Sequence, residues 1–279
     1  MTKFRLKLAA AICIGLVGCT ESPTRPAITL ATTTSTRDSG LLDILLPAFE
    51  KQTGIPVQVV AVGTGQALAM GRRGDADVLL THAPAAEQKF MDEGQGVDRR
   101  NIMHNDFVLL GPESDPAQVR AQQSVTGAFK QLARHQHPFV SRGDDSGTHI
   151  KELSIWDEAQ LAPQGDWYLE AGGGMAQILR IANEKQAYTL SDRGTFLTQS
   201  DTLKLSILLE GDPLLQNPYA IIVVSSDKHP KVDEQSARRF VDYLISEPVQ
   251  KKIGQFGLKK FGQQLFFPLG SDPGTHSGS

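Results

Sequence analysis

The sequence predicts an α/β protein of two lobes built on doubly wound parallel sheets. Three observations carry that prediction. An apolar strand, a polar turn and an amphipathic helix recur in that order along the chain. Most of the turns that open a helix hold glycine or a cluster of hydroxyls. The 279 residues, 40% hydrophobic and 21% charged, suit one large domain or two lobes, and no solenoid-type repeat divides them.

The chain begins with an export signal. Lys3, Arg5 and Lys7 precede an apolar stretch, Leu8 to Val17, too short to span a bilayer. Residues 1–18 are therefore read as a signal peptide, and the mature protein as periplasmic or otherwise extracytoplasmic. Leu16-Val17-Gly18-Cys19 resembles the lipobox of bacterial lipoproteins, which makes Cys19 the lipid attachment point and residues 19–26, with Pro23 and Pro26, a tether. Cleavage by the ordinary signal peptidase, with Cys19 merely nearby, is the alternative. Cys13 lies inside the signal, so a mature chain with Cys19 alone forms no internal disulfide and no cysteine metal site.

The formal net charge is -3, and loss of the signal's three cations makes it more negative. That argues against nucleic acid as a partner, because phosphate-backbone binding needs a basic face. A small anion held by backbone amides is not excluded. The seven histidines are scattered, and the nearest two, His135 and His137, face different sides of a helix. No direct protein–metal ligand set is expected.

Ile28 to Ala31 is the first strand, followed by Thr32, Thr33, Thr34, Ser35 and Thr36 and then by Leu41, Leu42, Ile44, Leu45 and Phe49 at helical spacing, closed by Gly54. Val57 to Val62 is a strand, Gly63-Thr64-Gly65-Gln66 turns into a helix, and Val78 to Leu80 is a buried strand. Phe107 to Leu110 leads through a helix ending near His135 to Phe139-Val140. The segment SRGDDSGTH, Ser141 to His149, then opens a helix running to about Glu158. Gly172 to Gly174 opens another helix, and Tyr188 to Leu190 is a further strand. Asn217-Pro218 leads into a strand over Tyr219 to Val224, and Val232 to Ile245 is helical. The glycine- and serine-rich residues 271–279 read as a disordered tail.

Four turns share one character: Thr32 to Ser35, Gly63 to Gln66, Arg142 to Thr148 and Gly172 to Met175. Each precedes a helix and offers unpaired N–H groups at the positive end of its dipole. Open parallel sheets gather such turns at one edge, where hydroxyls, amides and one arginine make a site for an oxyanion. Capping alone accounts for any single turn, and Arg142 could equally pair with Asp144 or Asp145. Asp144 or Asp145 with Ser146 and His149 invites an exported serine hydrolase, but no G-x-S-x-G elbow is present and His149 falls on the helix just after Ser146. Asp192 and Arg193 read as a pair or a turn cap.

With ATTTSTRDSGLLDILLPAFE, SRGDDSGTHIKELSIW, the EAGGGMAQILR turn and LLEGDPLLQNPYAIIVV, the chain resembles the tungstate-binding subunits of bacterial ABC importers over residues 27 to 268. The resemblance implies the type II periplasmic-binding-protein fold, two α/β lobes joined by two crossovers around a ligand cleft. It places lobe 1 at residues 27–106 and 217–270 and lobe 2 at 107–216. It implies an oxyanion cage of Thr33, Thr34, Ser35, Thr64, Arg142, Ser146 and Thr148, with backbone amides near Gly174 and Met175. It also implies a monomeric binding protein rather than an enzyme. Such a protein has no cofactor, its partners are an importer permease and ATPase, and it touches membrane only through the lipid anchor. His104 stands where the family often has tyrosine, and GGGM departs from its glycine pattern. Tungstate and molybdate are fully deprotonated dianions at neutral pH, so a cage of donors suits them, whereas hydrogen phosphate needs an acceptor for its proton. Molybdate, sulfate and phosphate remain alternative ligands.

Overall fold

The computed structural model describes residues 26–269; the signal peptide, Cys19, most of the tether and the tail lie outside the described residues. From the N-terminus the elements are β1 (Ile28–Thr33), α1 (Thr34–Asp38), α2 (Leu41–Thr53), β2 (Val57–Val62), α3 (Thr64–Arg73), β3 (Val78–Thr81), α4 (Pro84–Asp92) and β4 (Gly96–Pro112). Then come α5 (Val125–His135), β5 (Phe139–Ser141), α6 (Gly147–Glu158), β6 (Tyr168–Glu170), α7 (Met175–Lys185), β7 (Thr189–Asp192), α8 (Arg193–Gln199) and β8 (Leu205–Leu209). The chain finishes with β9 (Gln216–Val224), α9 (Glu234–Ile245), α10 (Glu247–Gln255), α11 (Leu258–Phe261) and β10 (Phe267–Pro268).

The first sheet runs β2-β1-β3-β9-β4-β10. Its βα-wound strands are parallel, β1 beside both β2 and β3, but β9 runs against β3 and β4 runs against β9. The expectation of parallel sheets is thus corrected to a mixed sheet. Strands β4 and β9 are the segments that pass between the lobes, so they enter the sheet without a helical crossover and lie antiparallel. Strand β4 also extends far beyond the expected Phe107 to Leu110. Up to Asp106 it pairs with β9, and from Phe107 it pairs with β7 and then β8, both antiparallel. Strands β5 and β6 are parallel, and Phe139 bridges to Tyr188 beside them.

Side-chain alternation explains why each sheet needs helices on both faces. Leu30, Val78, Leu80, Ile221 and Val223 pack on one face with α2 and α9, whereas Ala31, Leu79, Ile222 and Val224 pack on the other with α3 and Phe90. In the second lobe Phe107 and Leu109 join Phe129 and Trp156, while Val108 and Leu110 join Met175, Ile178 and Leu179. Leu41, Leu42, Leu45 and Phe49 give α2 its buried stripe, and Gly54, left-handed at φ 68°, ends it by donating its N–H to the Glu50 carbonyl. Among the described residues no helix is long and apolar enough to cross a membrane.

Candidate anion-binding site

The site begins with strand register. Thr33 pairs with Val62, so the turns leaving β1 and β2 emerge side by side. Strand β3 lies on the other flank of β1, and His82 follows its last residue. In the other lobe Ser141 pairs with Glu170, and the Gly172 N–H reaches the Arg142 carbonyl at 2.9 Å, which fastens the turn after β5 to the turn after β6. The lobes touch where His82 stands against Gly147, the first residue of α6. A methyl group on Gly147 would lie 2.7 Å from His82 Cε1.

The hydroxyl run is divided between structure and exposure. Thr32 is buried and donates to the Leu80 carbonyl at 2.8 Å. Thr33 caps α1: its Oγ1 accepts from the Thr36 N–H at 3.3 Å and bonds the hydroxyls of Thr36 at 2.7 Å and Ser35 at 3.1 Å. Thr34 and Ser35 are exposed. The sequence had placed Thr34 and Ser35 in a turn; they form the first turn of a five-residue helix instead. That is the consequence of Thr33 acting as its cap.

Helices α3 and α7 start differently. Their N-caps are Gly63 and Gly174, each in extended geometry and neither making a side-chain cap bond. The first-turn amides at Thr64, Gly65, Met175 and Ala176 therefore receive no oxygen from the cap, and they sit at the positive ends of helices ten and eleven residues long. Helix α6 is capped by Ser146, whose Oγ accepts from the His149 N–H at a long 3.4 Å. Thr148, the second residue of α6, is buried in its first turn.

Arg142 is the charge at this junction. Its Nη2 donates to Asp144 Oδ2 at 2.5 Å, while its Nε–H is buried and bonded to no oxygen. The other Asp144 oxygen accepts from the Ser146 N–H at 3.2 Å. Burial works against the Asp144 carboxylate, but the Ser146 hydrogen bonds and the Arg142 ion pair outweigh it and hold the carboxyl below its ordinary value. The pairing that the sequence offered as the alternative role of Arg142 is therefore present, and it leaves the Nε–H over. Both Asp144 oxygens are engaged, so Asp144 stays ionised. The turn folds this way because Gly143 takes φ 58° and packs on the Glu170 backbone and side chain, where a methyl group would lie 2.7 Å from Cβ.

A hydrolase geometry is not formed. Ser146 Oγ meets the backbone of His149, and the His149 ring turns away to accept from the Asp145 N–H on Nδ1 at 3.0 Å. The second ring nitrogen is buried without a hydrogen bond, with Glu170 Oε1 4.0 Å away. Asp192 caps α8 by accepting from Thr195 N, and Arg193 forms ion pairs with Asp106 and Glu210. Among the described residues no group of three His, Cys, Asp or Glu side chains could hold a metal ion.

Sequence reasoning missed His82 and the network behind it. His82 Nδ1 lies 3.0 Å from Asn217 Oδ1, Asn217 Nδ2 donates to Asn105 Oδ1 at 2.7 Å, and Asn105 Nδ2 donates to the Tyr219 hydroxyl at 3.3 Å. Burial lowers the His82 pKa against the opposing Asn217 bond, so the ring is neutral. The available signal was position: His82 follows an apolar strand at the same sheet edge as the other turns, though without glycine. His104, singled out earlier, stacks on Phe267 at 4.9 Å, and burial lowers its pKa.

The chain matches the model of the PBP superfamily domain over residues 20–248. It is 46% identical over 269 residues to the tungstate-binding protein TupA of Peptoclostridium acidaminophilum, covering 92% of this chain and 94% of the relative. The solved tungstate-binding protein TupA from Desulfovibrio alaskensis is 45% identical, with a TM-score of 0.81 over 88% of this chain and 99% of that one. The structure described as the tungstate ABC transporter from Geobacter sulfurreducens is 46% identical, with a TM-score of 0.73 over 81% of this chain and 96% of that one.

Proposed function

Since the chain belongs to the PBP superfamily and, within it, to the tungstate-binding proteins, we propose that it captures tungstate for import by an ABC transporter. It is a binding protein and not an enzyme, and no bond of the ligand is made or broken. The lobes close over the dianion, and the closed form is what the permease, driven by its ATPase, receives. The protein works as an extracytoplasmic monomer, held to the membrane by acylated Cys19.

The observation that carries the ligand class is the donor set. The buried Arg142 Nε–H lacks a partner, and two glycine-capped helices present first-turn amides. Thr33, Thr34, Ser35, Thr64, Ser146 and Thr148 add hydroxyls, with Gly174 and Met175 contributing backbone. A fully deprotonated oxyanion needs donors only. Hydrogen phosphate needs an acceptor as well, and the Asp144 carboxylate beside Arg142 is turned to Arg142 and the Ser146 N–H. Tungstate and molybdate match in charge and nearly in size, so their ranking rests on small differences of geometry.

Isothermal titration of the refolded, ligand-stripped mature protein with tungstate, molybdate, sulfate and phosphate tests this. The expected result is tight tungstate binding with no phosphate heat, weakened about a hundredfold by Arg142→Ala, which removes a charge-assisted hydrogen bond from a buried N–H. Absence of heat with both metal oxyanions would refute the assignment.

A further inference from the structure

We propose that His82 is the positioning residue that sets lobe closure, by seating the edge of its ring on the backbone of Gly147. The inference rests on the reading of the protein as a tungstate receptor and concerns how its cleft shuts. His82 belongs to the lobe of β1–β3, and Gly147 opens α6 in the other lobe. The ring is not free to swing. Its Nδ1 is bonded to Asn217, its face lies 4.8 Å from the Tyr219 ring, and Asn217 is bonded in turn to Asn105. Asn105 is on β4 while Asn217 and Tyr219 are on β9, so the ring is tied to both strands that pass between the lobes. Because Asn217 Nδ2 donates to Asn105, its Oδ1 faces His82 and accepts from a proton on Nδ1.

Gly147 supplies the other half of the contact. Its backbone does not require glycine, since it starts a regular helix and is not among the residues of positive φ. The three atoms nearest to a methyl group there all belong to the His82 ring: Cε1 at 2.7 Å, Nδ1 at 3.4 Å and Nε2 at 3.6 Å. Glycine is thus demanded by His82 and not by the helix. The contact joins opposite lobes and exists only while they are together. It fixes how closely the Thr148 turn and the α6 amides approach the turns of β1 and β2 around the ligand. A neutral ring makes this approach without placing a second positive charge against the positive end of α6.

The test is a double-mutant cycle read by tungstate affinity and dissociation rate, with melting of the ligand-free protein as control. His82→Asn is the informative replacement, because its amide keeps a donor where Nδ1 stood while removing the ring edge. Gly147→Ala alone should weaken tungstate about tenfold, chiefly through faster dissociation, and leave ligand-free melting unchanged. In the His82→Asn background the same Gly147→Ala change should cost nothing further. Equal losses in both backgrounds, no loss in the wild-type background, or a fall in ligand-free melting that parallels the affinity would each overturn the proposal. Wild-type protein that fails to bind tungstate would instead remove the receptor reading on which it stands.

Discussion

Glu152 illustrates how a residue behind the candidate site responds to burial. It is 1% exposed on α6, and its Oε1 accepts from the Tyr168 hydroxyl at 2.6 Å and from Trp156 Nε1 at 3.1 Å. Burial raises its pKa despite those bonds, so the folded state favours the protonated carboxyl. A raised carboxyl contributes stability that is fully present below the unfolded value near 4.5 and lost as pH rises through the folded value. Glu152→Gln keeps the accepting oxygen and removes the titration. Urea midpoints of the two proteins should therefore be closest in acid and separate in favour of the variant as pH rises to 8. Glu152→Ala strands the Tyr168 and Trp156 donors and should cost about 1–3 kcal/mol at every pH. A constant difference between the Gln variant and wild type would show that Glu152 does not titrate in this range. Arg142 teaches a related lesson: its charge was visible in SRGDDSGTH, as was a pairing with Asp144, but which donor stays free depends on the Gly143 turn. His82 carried no such mark, because its importance comes from a neighbour in the other lobe, 65 positions along the chain from it.

Two helices begin in a way that links local stability to binding. Gly63 and Gly174 hold φ -68°, ψ 153° and φ -65°, ψ 153°, the geometry in which serine caps a helix, and nothing lies within 4 Å of a methyl group at either. Serine fits both places, yet its oxygen would take the N–H groups offered to a ligand. Gly63→Ser and Gly174→Ser should each stabilise the ligand-free protein by about 0.5–1 kcal/mol through capping and reduced unfolded-state freedom. Each should also lower tungstate affinity. Denaturation and titration of the same preparations check both directions, and affinity left intact would remove these amides from the cage. These helix starts were legible because glycine and hydroxyls next to an apolar period mark them in the sequence. The long strands were not. Gly96 to Asn105 alternates too irregularly to read as strand, and it holds its place because β9 pairs with it across two register shifts and β10 pairs with Met103 and His104 on the other side. Strand β6 is three residues long with two exposed, and α4 and α10 follow turns that had no place in the expected grammar. The mixed sheet escaped for the same reason, since strand direction at β9 is set by its partners and not by its own residues.

At the scale of the molecule, the lobes are held by charge where β4 changes partners. Asp106 is the last residue of β4 paired to β9, and it is 8% exposed. Arg193, 4% exposed at the start of α8, grips it with Nε at 2.9 Å and Nη2 at 2.5 Å. The same guanidinium reaches Glu210 at 2.5 Å and the side chain of Gln263 at 3.3 Å. One side chain thus fastens α8, the strand between the lobes, the approach to β9 and the C-terminal segment. Such a pair adds little by itself, because desolvating both charges offsets their attraction, but removing one partner leaves the other buried and uncompensated. Arg193→Met, which preserves most of the volume, should cost about 3–5 kcal/mol in equilibrium unfolding. Adding Asp106→Asn to it should recover part of that loss, since the stranded charge goes with it. If the double variant is as unstable as the single one, packing and not charge holds this joint. The position of Asp106 gives that distinction a functional edge, because the pair stands on a strand that passes between the lobes, where we expect them to pivot as they open. Full affinity in the rescued double variant would show that pivoting does not depend on the ion pair, and reduced affinity with restored stability would show that it does.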